Sequence, residues 1–184
     1  MPRIELDLNP VTHITTDAIG QPGKRVFYIQ GQKDDQVVTL IVEKVQVQTM
    51  ALGVDDFLQE LAQRFPGLPE ASDEFDEERM RILPPVDPLF RIGELGLAYD
   101  ADNDLVIVVA REVTTAQDET AQPEEEDQDE ETSVVRYWCT RSQLRAMCRW
   151  GQQVASAGRP ICPYCGQPMD PSGHFCPKRN GHKH

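Results

Sequence analysis

The sequence predicts an α+β fold: a mainly antiparallel sheet of six or seven strands packed on two helices, with a small C-terminal zinc knuckle. Three observations predict it. Segments in which apolar and polar residues alternate recur along the chain, as half-buried strands require. Two longer segments change to a spacing of three and four, which puts their apolar residues on one helix face. The tail carries Cys162-Pro-Tyr-Cys165, a pair of thiolates spaced to clamp one ion.

Taken in order, Ile4–Leu8 alternates Ile and Leu with acids and reads as a strand, and Val11–Ile19 reads as a second. Gly20-Gln-Pro-Gly23 is a turn. Arg25–Gln32 and Gln36–Val42 flank Lys33-Asp34-Asp35 as a hairpin. From Val47 the period changes: Met50, Ala51, Val54, Phe57, Leu58, Leu61 and Phe65 make one face of a helix of about five turns, which Pro66 ends. Residues 66–90, with five prolines and an acidic cluster, form a surface loop with room for one short helix. Phe90–Tyr99 and Asp104–Val113 form a second hairpin around Asp100-Ala-Asp-Asn103. Ser133–Cys139 is the last strand. Thr140-Arg-Ser-Gln143 has capping-box spacing, so a helix starts there and runs to about Ala157, with Gly158 as its stop. This places residues 1–158 in one α+β domain and 159–184 in a zinc-knuckle tail.

Composition narrows the class. The chain has 184 residues, 39% of them hydrophobic, enough for one domain with a core of its own. No apolar run approaches the ~20 residues needed to cross a bilayer, and the N-terminus lacks the apolar centre of a signal peptide. The expected compartment is the cytoplasm. The odd count of five cysteines agrees, because clustered Cys and His in a reducing compartment bind metal more often than they form disulfides. Cys139 and Cys148 fall in apolar-periodic segments and read as core residues. The net charge of −13 hides a division: residues 113–131 hold nine acids and no base, while 136–184 hold eight bases against Asp170. The acidic stretch is expected to be a disordered loop.

The chemistry concentrates in the tail. Cys162-Pro-Tyr-Cys165-Gly166 is a knuckle sequence, in which the glycine lets the chain turn and aim backbone N–H groups at the sulfurs. Cys176-Pro177 starts a second knuckle whose second cysteine position is Arg179. A structural zinc needs four ligands. The set is therefore Cys162, Cys165, Cys176 and a histidine: His174, tethered on both sides, with His182 as the alternative near a chain end that frays. Zinc would be structural, because no His-x-Glu or Cys-x-Glu supplies the acid/base glutamate of a zinc deaminase. Gly20–Arg25 is too short for a P-loop, and no Gly-x-Ser-x-Gly elbow occurs. Asp100, Asp102 and Asp104 lack the rest of a calcium loop and read as a solvated turn. His13 reads as a structural histidine with satisfied nitrogens. Arg141, Arg145 and Arg149 line one face of the last helix. With Arg179 they are the candidate surface for a protein or polyanion partner, or for nucleic acid. The plainer reading is the wet face of the helix, or a surface covered by the acidic loop. Tyr164 and Phe175 are expected to pin the knuckle to the body.

Several motifs together resemble a bacterial domain-of-unknown-function family, number 3090. They are Gly20-x-Pro22-Gly23-x-Arg25-x-Phe27 with Gln30, Glu43-Lys44 with Gln46, Leu97-x-Tyr99-Asp100, Gly158-Arg159-Pro160-x-Cys162-Pro163-x-Cys165-Gly166, and Asp170-Pro171-x-Gly173-His174-x-Cys176-Pro177 with Asn180-Gly181. In that family the position of His182 is usually Tyr, so the resemblance favours His174 as the fourth ligand. It implies a small cytoplasmic protein and no established activity. The expected function is a non-enzymatic binding or adaptor protein with a structural zinc. One alternative is an enzyme acting on a phosphorylated or small polar substrate, with its site between the sheet and the Gly20–Arg25 turn. The other is a nucleic-acid binder that uses the arginine-rich helix.

Overall fold

The computed structural model describes residues 3–114, 132–169 and 174–179. Seven strands and two helices occur in the order β1 (Glu5–Leu8), β2 (His13–Ile19), β3 (Val26–Lys33), β4 (Gln36–Val42), α1 (Lys44–Arg64), β5 (Pro88–Asp100), β6 (Leu105–Glu112), β7 (Val134–Cys139) and α2 (Arg141–Ser156). The strands make one sheet in the order β1-β7-β6-β5-β4-β3-β2. Pairing is antiparallel except at β1–β7 and β4–β5, which run parallel. The α+β fold with a mainly antiparallel sheet and two helices is thus present. The β4–β5 pair is parallel because α1 and residues 65–87 carry the chain back to the same end before β5 begins, as a parallel connection demands.

The sheet curls across itself. Tyr137 of β7 is fully buried, and its hydroxyl donates to the Val38 carbonyl of β4 at 3.3 Å. Its ring lies on Gly31 of β3, where a Cβ would meet Cδ1 at 2.3 Å. The Val11 N–H donates to the Trp138 carbonyl at 2.8 Å, which ties the approach to β2 against β7. One core cluster results, joining Leu8, Ile29, Leu40, Val106 and Val108 from the sheet to Val47 and Val54 of α1 and Leu144 and Met147 of α2.

Both helices begin at capping boxes. Thr140 Oγ1 accepts from the Gln143 N–H at 3.0 Å while Gln143 Oε1 accepts from the Thr140 N–H at 2.9 Å. At α1 the same exchange links Glu43 and Gln46, and the helix starts at Lys44, three residues before its first buried residue, Val47. The second helix ends at Ser156 with Ala157 as its C-cap, so Gly158 follows the helix end as expected.

Residues 66–87 contain no helix. Their backbone instead satisfies polar side chains of the sheet. Thr15 donates to the Met80 carbonyl at 2.6 Å, and Gln30 holds both the N–H and the carbonyl of Leu83 at 2.8 and 3.1 Å. Asp17 pairs with Arg81 at 3.3 Å, and Phe75 meets Trp150 of α2 edge-on. Buried polar groups that face no strand partner need such bonds. The expected disordered loop falls, from residue 115 onward, outside the described residues.

Candidate metal centre and the adjoining cleft

Residues 160–169 fold back on themselves. The Cys162 N–H donates to Gln167 O at 2.8 Å, Met169 N–H to Pro160 O at 2.7 Å, and Gly166 N–H to Cys162 O at 2.9 Å. Gly166 sits at φ +74°, a conformation open to glycine at little cost. The tight turn aims the N–H groups of Cys165 and Tyr164 at the Cys162 sulfur, and these pull its thiol down to about 6. Another, from Gln167, points at Cys165, where burial and the neighbouring Cys162 and Cys176 sulfurs outweigh it and raise the thiol pKa. Such N–H···S bonds favour thiolates, the form that binds metal.

Four donor atoms converge: one each from Cys162, Cys165, His174 and Cys176, all within 4.8 Å of one another. Cys162 Sγ and Cys176 Sγ are 3.8 Å apart, the separation that a tetrahedral ion with metal–sulfur bonds of about 2.3 Å imposes. Cys165 Sγ and His174 Nε2 are 3.1 Å apart. His174, Cys162 and Cys176 are buried. Three thiols and an imidazole with this mutual spacing form a set able to hold one metal ion in a closed shell. His174 is inside the cluster; His182 lies outside the described residues.

The other cysteines do different work. Burial pushes the thiols of Cys139 and Cys148 up to about 12, so they stay protonated and pack as core residues. The Nε2 of His13 finds no hydrogen-bond partner among the described residues, contrary to the expectation of a satisfied ring. Burial lowers its pKa, which keeps it neutral. Phe175 is 65% exposed, so it does not pin the knuckle to the body as expected, while Tyr164 is half-exposed.

The arginine face of α2 is engaged by acids of the same chain. Arg141 makes two bonds to Asp104, at 2.7 and 3.0 Å, and a third to the Pro69 carbonyl at 2.7 Å. Arg145 and Arg149 share Asp55 of α1, at 3.2 and 2.8 Å, and Arg149 also reaches Asp73 at 3.4 Å. Acids of the same chain occupy these guanidiniums. The covering comes from α1, the β5–β6 turn and the 66–87 segment. The side chain of Arg179 lies outside the described residues.

A cleft of about 430 Å³ opens between the Gly20–Arg25 turn, the start of α1, β5 and the metal tail. Its wall includes Arg25, Lys44, Arg91 and Arg159, with Glu43 as the one carboxylate among the described residues there. Ile161 and Pro168, which pair across the tail hairpin, form one side. Sequence reading pointed to the turn but not to Arg91 or Lys44 as site residues, since positions 25, 44, 91 and 159 share no motif.

The profile of a family described as "Protein of unknown function (DUF3090)" matches residues 6–176, a span that includes all four metal donors. No curated protein and no solved structure matches the chain.

Proposed function

The chain belongs to the DUF3090 family, and from that premise we propose that it is a non-enzymatic binding protein whose C-terminal tail is folded by one structural zinc ion. The observation that carries this reading is the closure of the donor set: Cys162, Cys165, His174 and Cys176 all come within 4.8 Å of one another. Four protein ligands complete a tetrahedral shell and leave no position for water or substrate, whereas catalytic zinc keeps one open. A tail rich in Pro and Gly that buries little besides the ligands themselves depends on such an ion for its fold. Three thiolates and an imidazole suit zinc over the harder divalent ions.

The purified protein is expected to hold one zinc per chain by elemental analysis. Cobalt in its place is expected to give the visible spectrum of a tetrahedral, thiolate-rich site. Cys162→Ser should lose most of the metal. A Cys162→Ser protein with full metal content would sink the reading.

The cleft beside the tail favours the second reading, a protein that acts on a phosphorylated or small polar molecule. Among the described residues, however, its wall offers no Ser, Thr, Cys, His or Asp, and the one carboxylate there, Glu43, already caps α1 and pairs with Arg91. With no hydroxyl, thiol, imidazole or unpaired carboxylate among those residues to serve as base or nucleophile, binding is the better-supported activity.

A further inference from the structure

A chain of net charge −13 gathers Arg25, Lys44, Arg91 and Arg159 around a single cavity. Arg91 is neutralised by Glu43. Arg25 and Lys44 have no carboxylate partner among the described residues. They are nonetheless brought together: a Cβ built on Gly158 would meet Arg25 Nη2 at 3.4 Å and Lys44 Nζ at 3.5 Å, so both cations converge on one point. Arg25 does not splay into solvent. Its Nη1 donates to the Val154 carbonyl at 2.9 Å and its guanidinium lies 5.2 Å over the Phe27 ring. Its Nη2 lies beside Gly158, which lines the cleft with it. Arg159 is held close in the same way, against Gly23, whose φ of +90° and missing Cβ leave room for its Nε at 3.1 Å. Solvated lysines and arginines on an ordinary surface repel and spread. Here one is fixed by α2 and packed against a second through a glycine, and such like-charge proximity is relieved when an anion binds.

We propose that this cleft binds a phosphate monoester of a small molecule. Its phosphoryl group would lie between Arg25 and Lys44, with its organic part against the exposed apolar side chains of Val26 and Ile161. A guanidinium and an ammonium together match the two charges of a phosphoryl dianion, the guanidinium by paired N–H donors. A volume of about 430 Å³ falls in the range of small-molecule sites, roughly 300–1,000 Å³. The proposal goes beyond the structural zinc and rests on it only for the wall that Ile161 and Pro168 supply.

The test uses the full zinc-loaded chain, with zinc content measured on every variant. Inorganic phosphate, phenyl phosphate and phenyl sulfate are titrated by calorimetry. Phenyl phosphate is expected to bind roughly tenfold more tightly than the sulfate, which carries one charge, and than inorganic phosphate, which lacks the apolar group. Lys44→Glu, at an exposed position, should weaken binding by more than that with zinc unchanged. Arg25→Gln should do the same but also loses the bond to Val154. Absence of binding, equal affinity for phenyl phosphate and inorganic phosphate, or unchanged affinity in Lys44→Glu each overturns the proposal. Phenyl phosphate binding by a native chain that carries no zinc would instead count against the metal reading and leave this proposal standing.

Discussion

A methyl group added to Gly31 would sit 2.3 Å from the Tyr137 ring, while one added to Gly53 would meet nothing within 4 Å. The same substitution therefore has opposite signs at the two positions. Gly31→Ala forces a buried ring that is hydrogen-bonded to β4 to move, and such overpacking costs about 1–3 kcal/mol. Gly53→Ala fills an exposed helix interior and gains up to about 1 kcal/mol through lower backbone entropy in the unfolded chain. Thermal denaturation is expected to show a lower midpoint for the first and a higher one for the second. At this scale the four metal ligands also divide into legible and hidden parts. Cys162 and Cys165 announce themselves by spacing. His174 does so through its short tether to Cys176, and its burial beside Cys165 Sγ is what a ligand requires.

The second helix shows how an element can carry charge without offering it. Arg141, Arg145 and Arg149 recur at one-turn spacing, and that periodicity is equally suited to an outward basic stripe. Asp104 and Asp55 decide otherwise. The Arg141 guanidinium beside Asp104 holds its carboxyl below the usual range, ahead of the opposing effect of burial and the further help of the Tyr99 hydroxyl. Because the folded pKa is depressed, this pair stabilises the native state above the unfolded aspartate value of about 3.9. Its contribution fades as pH falls from there through the lower folded value. Asp104 is part-exposed, so the contribution is modest. Asp104→Asn is expected to be less stable than the native chain in urea at pH 7, with the gap narrowing as pH falls below about 4; a gap independent of pH would remove the ion pair from the account. By the same geometry, Arg145→Glu should destabilise the fold, since it sets an acid against Asp55 and Glu70. Unfolding measurements are expected to show this whether or not any polyanion is present.

In the whole molecule, the C-terminal tail meets the rest of the fold at the cleft, where Ile161 and Pro168 supply part of the wall. No helix among the described residues is long and apolar enough to cross a membrane, and the core is one cluster built from both helices and the curled sheet. Stripping the metal with a chelator is expected to raise amide exchange across residues 160–169, whose hairpin bonds hang on Cys162. The β6 and β7 amides, buried far along the chain from the tail, should keep their protection. Uniform loss of protection would mean that the ion also stabilises the domain itself.

The strands, both helices and the cysteine cluster were legible in the sequence because each is a local pattern: alternation, helical period, a capping box, two cysteines three positions apart. The parallel pairing of β4 with β5 was not, since strand order depends on how the 65–87 segment packs. Nor was the fate of the arginines, whose acidic partners at 55 and 104 lie far away in sequence. The cleft lay furthest from view. Its cations come from the turn before β3, the first residue of α1, the middle strand β5 and the segment after α2. Local sequence pattern alone set which segments are strands, which are helices, and which tail residues form a candidate metal site. Only the tertiary structure decided which charges are neutralised and which converge. Electrostatics acts through distances in space, and these are set by the fold as a whole.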